Sequence, residues 1–594
     1  MRTFFLVVAC AAVAAPAVAV EIGLSGPSVY GGNSDGAIAA AKAVEATGTS
    51  WVRLNFRLDV WSAPDDSTPR GPQQLSWFAA YDRLVDELTT HGVQVYGEIG
   101  GESVPGGGEP DSDDFVQRYT SAFVQIVDHF KDRVRVYETF NEPNNWRDAV
   151  SKRPAVSPFY LAKMEQEIYL ATKFNNGRDK NRCDQVTLVS GALFSSEQTN
   201  AADYFNQVFD AGRNQLAWDW MHQHVGSYPF DGIGYHIYVG QGASATTTSV
   251  AAATKANLDA MWAAEAGRDD GAAAKRVWLS EFGWTVDQVS AQQQAQFLTA
   301  AFDSYAADAH VAAAFWFTYQ DFPGGRYGLY DAGGLDAAHR RADYDAFTAA
   351  VASHRPALAA VVVADDVPMT LAPGETRIIT LTLRNTGGES WSEATQHRLG
   401  AAPGCPAAAV TNAVTFAPDK PGYVNGVADA RVTLTATVAP GADGSFRFAV
   451  TAPATAGDYV LGARMVQEGV AWFGDTFRRT LHVAAASGGG GGGGAGGGGG
   501  SGGGTPGDGA GGSTGGTGPR DSGAPGVGKS HGGCAIARGD DTPGAAAPVL
   551  LFVSLLAIFL RSKKTRALTV GYMRSSGRCD GAPRPRGKRL HRLR

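Results

Sequence analysis

Two glutamates stand where acid–base and nucleophilic work on a sugar would need them. Glu142 lies in Val136-Tyr137-Glu138-Thr139-Phe140-Asn141-Glu142-Pro143-Asn144, and Glu281 in Arg276-Val277-Trp278-Leu279-Ser280-Glu281-Phe282-Gly283-Trp284. Both runs are strand-like, and each glutamate comes at the C-terminal end of its run. Two carboxyls brought by different strands to one end of a fold are what cleavage of a glycosidic bond requires: one proton donor, and one nucleophile or base. The neighbours fit the same chemistry. Asn141 can orient a substrate, while Trp146, Trp284 and Trp316 offer faces for sugar rings. Glu98, Glu102 and Glu138 are further carboxyls near strand ends, and Glu138 reads as a buried partner rather than a reacting group.

Those residues need a scaffold that delivers strand ends to one face. Over 21–355 apolar strand-like runs alternate with helical segments. The strand candidates are 22–25, 51–58, 93–99, 134–140, 186–192, 232–238, 277–281 and 312–318; helical candidates are 75–91, 111–130, 158–174, 201–211, 250–266 and 291–307. The alternation predicts an α/β fold, a (β/α)8 TIM barrel, in residues 20–355. The rival is a doubly wound open sheet, which lacks its Gly-rich nucleotide turn after the first strand. On the last barrel strand, alternation groups Trp316 with Ala314 and Thr318. That face is taken as inward, with Phe315 and Phe317 on the other side.

The rest of the chain has a different character. Residues 361–484 alternate apolar and polar with turn residues between, as a small antiparallel sandwich does. From 487 to 533 glycine dominates, which reads as a flexible tether. An apolar run over 545–560 precedes Arg561, Lys563, Lys564 and Arg566. It falls short of the ~20 residues of a full span but has the form of a stop-transfer segment, so the region 534–566 is read as a membrane segment and 567–594 as a basic tail. At the other end, Arg2, the apolar run 4–13 and Ala17-Val18-Ala19 form a secretory signal over 1–19, with a lipoprotein signal at Cys10 as the alternative. Net charge is −7, with no basic domain for nucleic acid. The cysteines Cys10, Cys183, Cys405, Cys534 and Cys579 have neither metal-ligand spacing nor a disulfide pattern. No cofactor or metal is expected, and a single copy of the chain suffices.

At Asn141-Glu142-Pro143 and Ser280-Glu281-Phe282-Gly283-Trp284, with His236-Ile237-Tyr238 and Trp316, residues 21–350 resemble the clan A glycoside hydrolases. In that clan the acid/base glutamate follows an asparagine at the end of strand four, and the nucleophile ends strand seven, matching the strand count above. The run Ser280–Trp284 and Phe315-Trp316-Phe317 resemble family 5; Tyr137–Trp146 with Pro158-Phe159-Tyr160 is as similar to family 39. Where family 5 has a histidine on strand three, this chain has Glu98 in Val95-Tyr96-Gly97-Glu98. Arg384-Asn385-Thr386-Gly387, Trp391 and Trp472-Phe473-Gly474 resemble an immunoglobulin-like domain first described in an autophagy receptor. Gly532-Gly533-Cys534, the apolar run and the basic cluster are similar to a myxobacterial C-terminal sorting signal, which implies processing and lipid attachment at Cys534.

The first resemblance implies roles. Glu142 is the acid/base and Glu281 the nucleophile of a double displacement. Tyr238 bonds the nucleophile, Arg53 holds it ionised, and Asn141 bonds a sugar hydroxyl. His236 bonds Glu142 or the sugar, and Trp316 forms the floor beneath it. Each has a structural alternative: a salt bridge for Arg53, internal hydrogen bonding for His236, plain core for Trp316. The expectation is an exported, surface-tethered retaining glycosidase acting on a β-linked polysaccharide or oligosaccharide. The alternative is a surface protein that binds glycan without turnover.

Overall fold

The computed structural model describes residues 20–147, 150–173, 186–196, 200–401, 415–418 and 431–484. The signal over 1–19 with Cys10, Cys183, Cys405, the glycine-rich segment, Cys534, the apolar run 545–560 and the basic tail with Cys579 lie outside the described residues. No helix among the described residues is long and apolar enough to cross a membrane.

The first part of the chain is a barrel of parallel strands: β1 (Glu21–Ser25), β2 (Trp51–Asn55), β3 (Gln94–Ile99), β4 (Val136–Thr139), β5 (Thr187–Val189), β6 (Leu193–Ser195), β7 (Gly232–Ile237), β8 (Arg276–Phe282) and β9 (Val311–Trp316). Hydrogen bonding runs β5-β4-β3-β2-β1-β9-β8-β7-β6, and β5 closes onto β7 through Val189 and Gly232. β5 and β6 are two halves of one barrel position, since both pair with β7, so eight positions make the ring. This closure removes the sheet edges an open doubly wound sheet would have.

Helices α1 (Ser34–Glu45), α2 (Trp77–Thr90), α3 (Asp113–Phe130), α4 (Pro158–Lys173), α5 (Ala201–Gln215), α6 (Trp218–Val225), α7 (Thr247–Ala266), α8 (Ala291–Ala306) and α9 (Ala342–Ser353) surround it. Their starts are written locally. The Ser76 and Ser112 side chains accept from the backbone N–H of Ala79 and Phe115, and α7 and α8 open on capping boxes at Thr246–Ser249 and Ser290–Gln293. α1, α6 and α9 are additional to the expected helices.

Period-2 alternation on each strand builds two cores. Leu24, Val52, Leu54, Phe282 and Trp316 face outward into the helix layer. Trp51, Tyr96, Val136, Val189, Ala313 and Phe315 plug the interior, with Trp278 packed against them. The expected parity of the last strand is therefore reversed: Phe315 points in and Trp316 points out. The cause is space. Gly23 on the neighbouring β1 has no side chain, and a Cβ there would lie 2.3 Å from the Phe315 ring.

The sandwich has one sheet of β10 (Ala360–Asp365), β12 (Thr376–Asn385), β16 (Asp443–Thr451) and β14 (Thr415–Pro418), in that order. Its second sheet runs β11 (Thr370–Leu371), β18 (Ala471–Val483), β17 (Gly457–Gln467), β13 (His397–Ala401) and β15 (Arg431–Thr433). Trp391 and Phe473 belong to its core, whereas Trp472 is partly exposed under the Arg431 guanidinium. The sandwich meets the barrel at the end where strands begin. Arg384 donates to the carbonyl of His91, and Arg479 pairs with Asp132 at 3.6 Å.

Glu165 on α4 is buried behind β5 and accepts from the N–H of Gly191. Burial pushes its carboxyl up to about 8, against the smaller pull of that hydrogen bond and of Lys275. Its pKa is higher folded than unfolded, so the unfolded chain releases the proton first as pH rises and folding is progressively disfavoured from about 4.5 to 8. Glu165→Gln keeps the acceptor for Gly191. It should gain stability relative to the parent across that window, by at most about 1.4 kcal/mol per pH unit, and show a constant difference above it. Urea melts at several pH values check this; a pH-independent difference would show that Glu165 does not titrate there.

Candidate active site

Glu142 and Glu281 meet at the C-terminal mouth of the barrel. Past the end of β4 the backbone enters the left-handed region at Phe140 (φ 62°) and at Glu142 (φ 45°), on either side of Asn141. Such conformations cost energy in non-glycine residues and gather at functional sites. The turn is pinned on both sides: Phe140 N–H donates to Ile99 O, and Ala192 N–H donates to Phe140 O. Gly191 lets this neighbour come close, since a Cβ there would sit 2.6 Å from Thr139 O.

Glu281 is aimed by a bulge. β8 pairs with β7 through Gly234↔Trp278 and then His236↔Glu281, so three steps on β8 match two on β7. The same extra residue appears against β9, between Leu279↔Ala314 and Phe282↔Trp316. A bulge lets adjacent residues break alternation. Here Ser280 and Glu281 both reach interior partners, while Phe282 returns to the helix layer.

The two carboxyls share one hydrogen-bonded cluster. Arg53 Nη1 donates to Glu281 Oε1 at 2.7 Å, and Tyr238 OH donates to Glu281 Oε2 at 3.0 Å. His236 Nδ1 lies 3.0 Å from Glu142 Oε1, and its Nε2 lies 3.1 Å from Ser280 Oγ. Asn145 Nδ2 donates to Glu142 Oε2 at 2.9 Å. Arg53 also donates to Glu138 through Nε and Nη2, and to Asn141 Oδ1 at 2.8 Å through Nη2. Tyr96 OH donates to Glu138 at 2.7 Å, so Glu138 is a buried counter-ion. Burial presses the His236 pKa down, but the charge of Glu281 and the hydrogen bond to Glu142 outweigh it, and the net shift is upward. Burial and then the charge of Glu281 push the Tyr238 phenol well above its usual value, keeping it a donor.

One ligand atom from each of Glu142, His236 and Glu281 lies within 4.8 Å of the others. That spacing would also suit a cation, but Arg53 already brings positive charge to Glu281 at hydrogen-bond distance.

The structure thus brings together Arg53, Asn141, Glu142, His236, Tyr238 and Glu281. It does not bring Trp284 or Trp316 to the mouth. Both are fully buried: the Trp284 indole donates to Val239 O, the Trp316 indole donates to Tyr327 O, and the rings pack 6.1 Å apart in the helix layer. Trp146 sits half-buried on the loop after Glu142, with Lys152 Nζ 5.1 Å from its ring centre. The aromatic wall beside Glu281 is instead Tyr238, Tyr327 and Phe317. Tyr327 packs edge-on to both other rings, at 6.3 Å and 5.5 Å. Burial, then the charges of Asp287, Glu281 and Glu142, raise the Tyr327 phenol to about 12. Sequence reasoning missed Tyr327, Phe317, Ser280 and Asn145. Ser280 and Phe317 carried a signal, the first by opening the Glu281 motif and the second by its place on the last strand.

Arg53 compensates two nearly buried carboxylates, so Arg53→Met should destabilise the chain by about 3–5 kcal/mol by leaving both unpaired. Adding Glu138→Gln should recover part of that loss. Chemical unfolding measures both, and parent-like stability in the single variant would show that the carboxylates find other compensation.

No family model and no curated protein matches the chain. Solved structures do align with it. They include a family 39 glycoside hydrolase from Bacteroides cellulosilyticus, at 12% identity over 73% of this chain and 81% of that one, with a TM-score of 0.35. A second is GH5_18 from Streptomyces cattleya in complex with GlcNAc, at 17% identity over 58% and 84%, TM-score 0.38. A third is a family 128 (subgroup II) endo-β-1,3-glucanase from Sorangium cellulosum, at 19% identity over 56% and 98%, TM-score 0.33. Likenesses this distant carry no functional weight, and the reading of the site rests on its own geometry.

Proposed function

We propose that this chain is a retaining glycoside hydrolase. The observation that carries the reading is the carboxyl pair: oxygens of Glu142 and Glu281 lie within 4.8 Å of each other, held by different donors. Retaining enzymes place their carboxyls about 5–5.5 Å apart, whereas inverting enzymes leave ~6.5–9.5 Å for a water. Glu281, oriented by Arg53 and Tyr238, attacks the anomeric carbon and forms a glycosyl ester. Glu142 protonates the departing oxygen and then takes a proton from the water that hydrolyses the ester. His236 and Asn145 fix Glu142 between those two tasks. The Asn141 amide nitrogen is left to meet a sugar hydroxyl, while its oxygen accepts from Arg53. Tyr327 and Phe317, with Trp146 across the loop, supply the ring faces.

The test is reducing-sugar release from a panel of β-glucans, mannans, xylans and bacterial exopolysaccharides by the parent and by Glu281→Gln. Turnover should fall to background in the variant, and NMR of the first product formed by the parent should show the substrate's anomeric configuration. An inverted product would refute double displacement. Binding of a panel glycan without turnover in the parent would favour a glycan-binding surface protein.

We propose further that the chain is exported and held at the cell surface, with the sandwich, immunoglobulin-like by its motifs, as a spacer. The apolar run 4–13, the glycine-rich segment and the apolar run with its basic flank support that reading. Cutting the chain after residue 486 should release active protein into the medium. A truncated chain that stays with the cells would count against anchoring through the C-terminal segment.

A further inference from the structure

On the β2–β3 side of the mouth, Glu98 and Asn55 present buried acceptors with nothing to accept, beside the carboxyl of Glu102. Glu98 on β3 is fully buried, and neither of its carboxyl oxygens has a hydrogen-bond partner among the described residues. Asn55, its register neighbour on β2, donates its amide to Glu102 and leaves Oδ1 buried and unpartnered. Glu102 is half-buried on the short turn Gly101–Ser103 that follows β3. Gly100 leaves room between the two acids: a Cβ there would lie 2.4 Å from Glu98 Oε1 and 2.5 Å from Glu102 Oε2. Both carboxyls therefore converge on one small space at the strand end.

Among the described residues no cation forms an ion pair with Glu98 or Glu102, although the charge of Arg57 acts on Glu102 and that of Arg53 on Glu98. The nitrogens of Arg53 are committed to Glu138, Glu281 and Asn141. Arg57 stacks on Tyr30, 4.7 Å from the ring centre, and makes no ion pair with Glu98 or Glu102 among the described residues. Burial, then the charge of Glu102, holds the Glu98 carboxyl well above the usual carboxylate range in spite of Arg53. A buried acceptor without a donor is costly, and a buried carboxylate without a cation more so. A sugar hydroxyl can donate a single O–H here, but it also brings lone pairs into a pocket already made of acceptors. An ammonium group brings N–H donors and positive charge, and no lone pair.

We propose that Glu98, Glu102 and Asn55 form a subsite for the ammonium group of a deacetylated amino-sugar unit, so that the glycan is a cationic, glucosamine-type polymer. This rests on the glycosidase reading and gives it a substrate class. Glu102, the partly exposed member, meets the ligand, with Glu98 and Asn55 behind it.

The experiment is calorimetry on the full chain carrying Glu281→Gln, so that binding is read without turnover. The probes are a glucosamine oligosaccharide, its N-acetylated counterpart, a neutral β-1,3-glucan oligomer of equal length, and calcium chloride alone. The glucosamine oligomer should bind at least about tenfold more tightly than the other two, a difference of ~1.4 kcal/mol. Adding Glu102→Gln, or the isosteric Glu98→Gln should the first fail to fold, should remove that difference. Equal affinity for all three oligomers would overturn the subsite, as would calcium binding that disappears in the Glu102→Gln chain. Cleavage of neutral glycans by the parent without preference for amino glycans sinks the subsite and spares the glycosidase reading. Tight binding of the glucosamine oligomer that the parent never cleaves does the reverse.

Discussion

The interior of the barrel is organised around one guanidinium. Arg53 reaches from β2 to Glu138 on β4 and to Glu281 on β8, tying three strands across a space with almost no solvent. Burying two carboxylates there without a cation would be prohibitive, and a lysine could not divide itself between them in fixed directions. The planar fork does more than neutralise. By taking Oε1 of Glu281 it leaves Oε2 to Tyr238, and by taking Asn141 Oδ1 it sets which end of that amide faces outward. Beneath it, Trp51, Tyr96, Trp278 and Phe315 keep the lower barrel dry, which strengthens every charge interaction above.

Much of this was legible in the residues. Parallel strands buried on both faces appear as apolar runs, and polar residues at their C-terminal ends stand out against them. That contrast exposed Glu142 and Glu281, and counting runs placed them on the fourth and seventh barrel positions. Arg53 and Tyr238 were found for the same reason, each being a polar residue at or near a strand end. Glu138 reads as a buried partner from its position, and the structure shows its partners to be Arg53 and Tyr96.

The failures share a cause: they depend on small departures from strand geometry. Strict alternation along the last strand sends Trp316 inward, but the vacancy beside Gly23 admits the Phe315 ring and turns the whole strand over. Trp284 looks like a loop aromatic free to stack on sugar, yet its indole is bonded to Val239 O beneath the surface. The bulge in β8 lets two consecutive residues, Ser280 and Glu281, serve one site, which a period-2 reading forbids. Tyr327 comes from a loop beyond the last strand, and nothing local in its sequence says that the loop folds back beside Glu281.

Among the described residues, two polar contacts of the sandwich with the barrel fall on residues that precede strands: the carbonyl of His91 before β3, and Asp132 before β4. The Glu142–Glu281 cluster sits at the opposite end of the barrel strands. A pull or a steric load applied through these contacts is therefore delivered to the end of the barrel where the strands begin. One end of the barrel is where the sandwich is attached, and the Glu142–Glu281 cluster opens at the other.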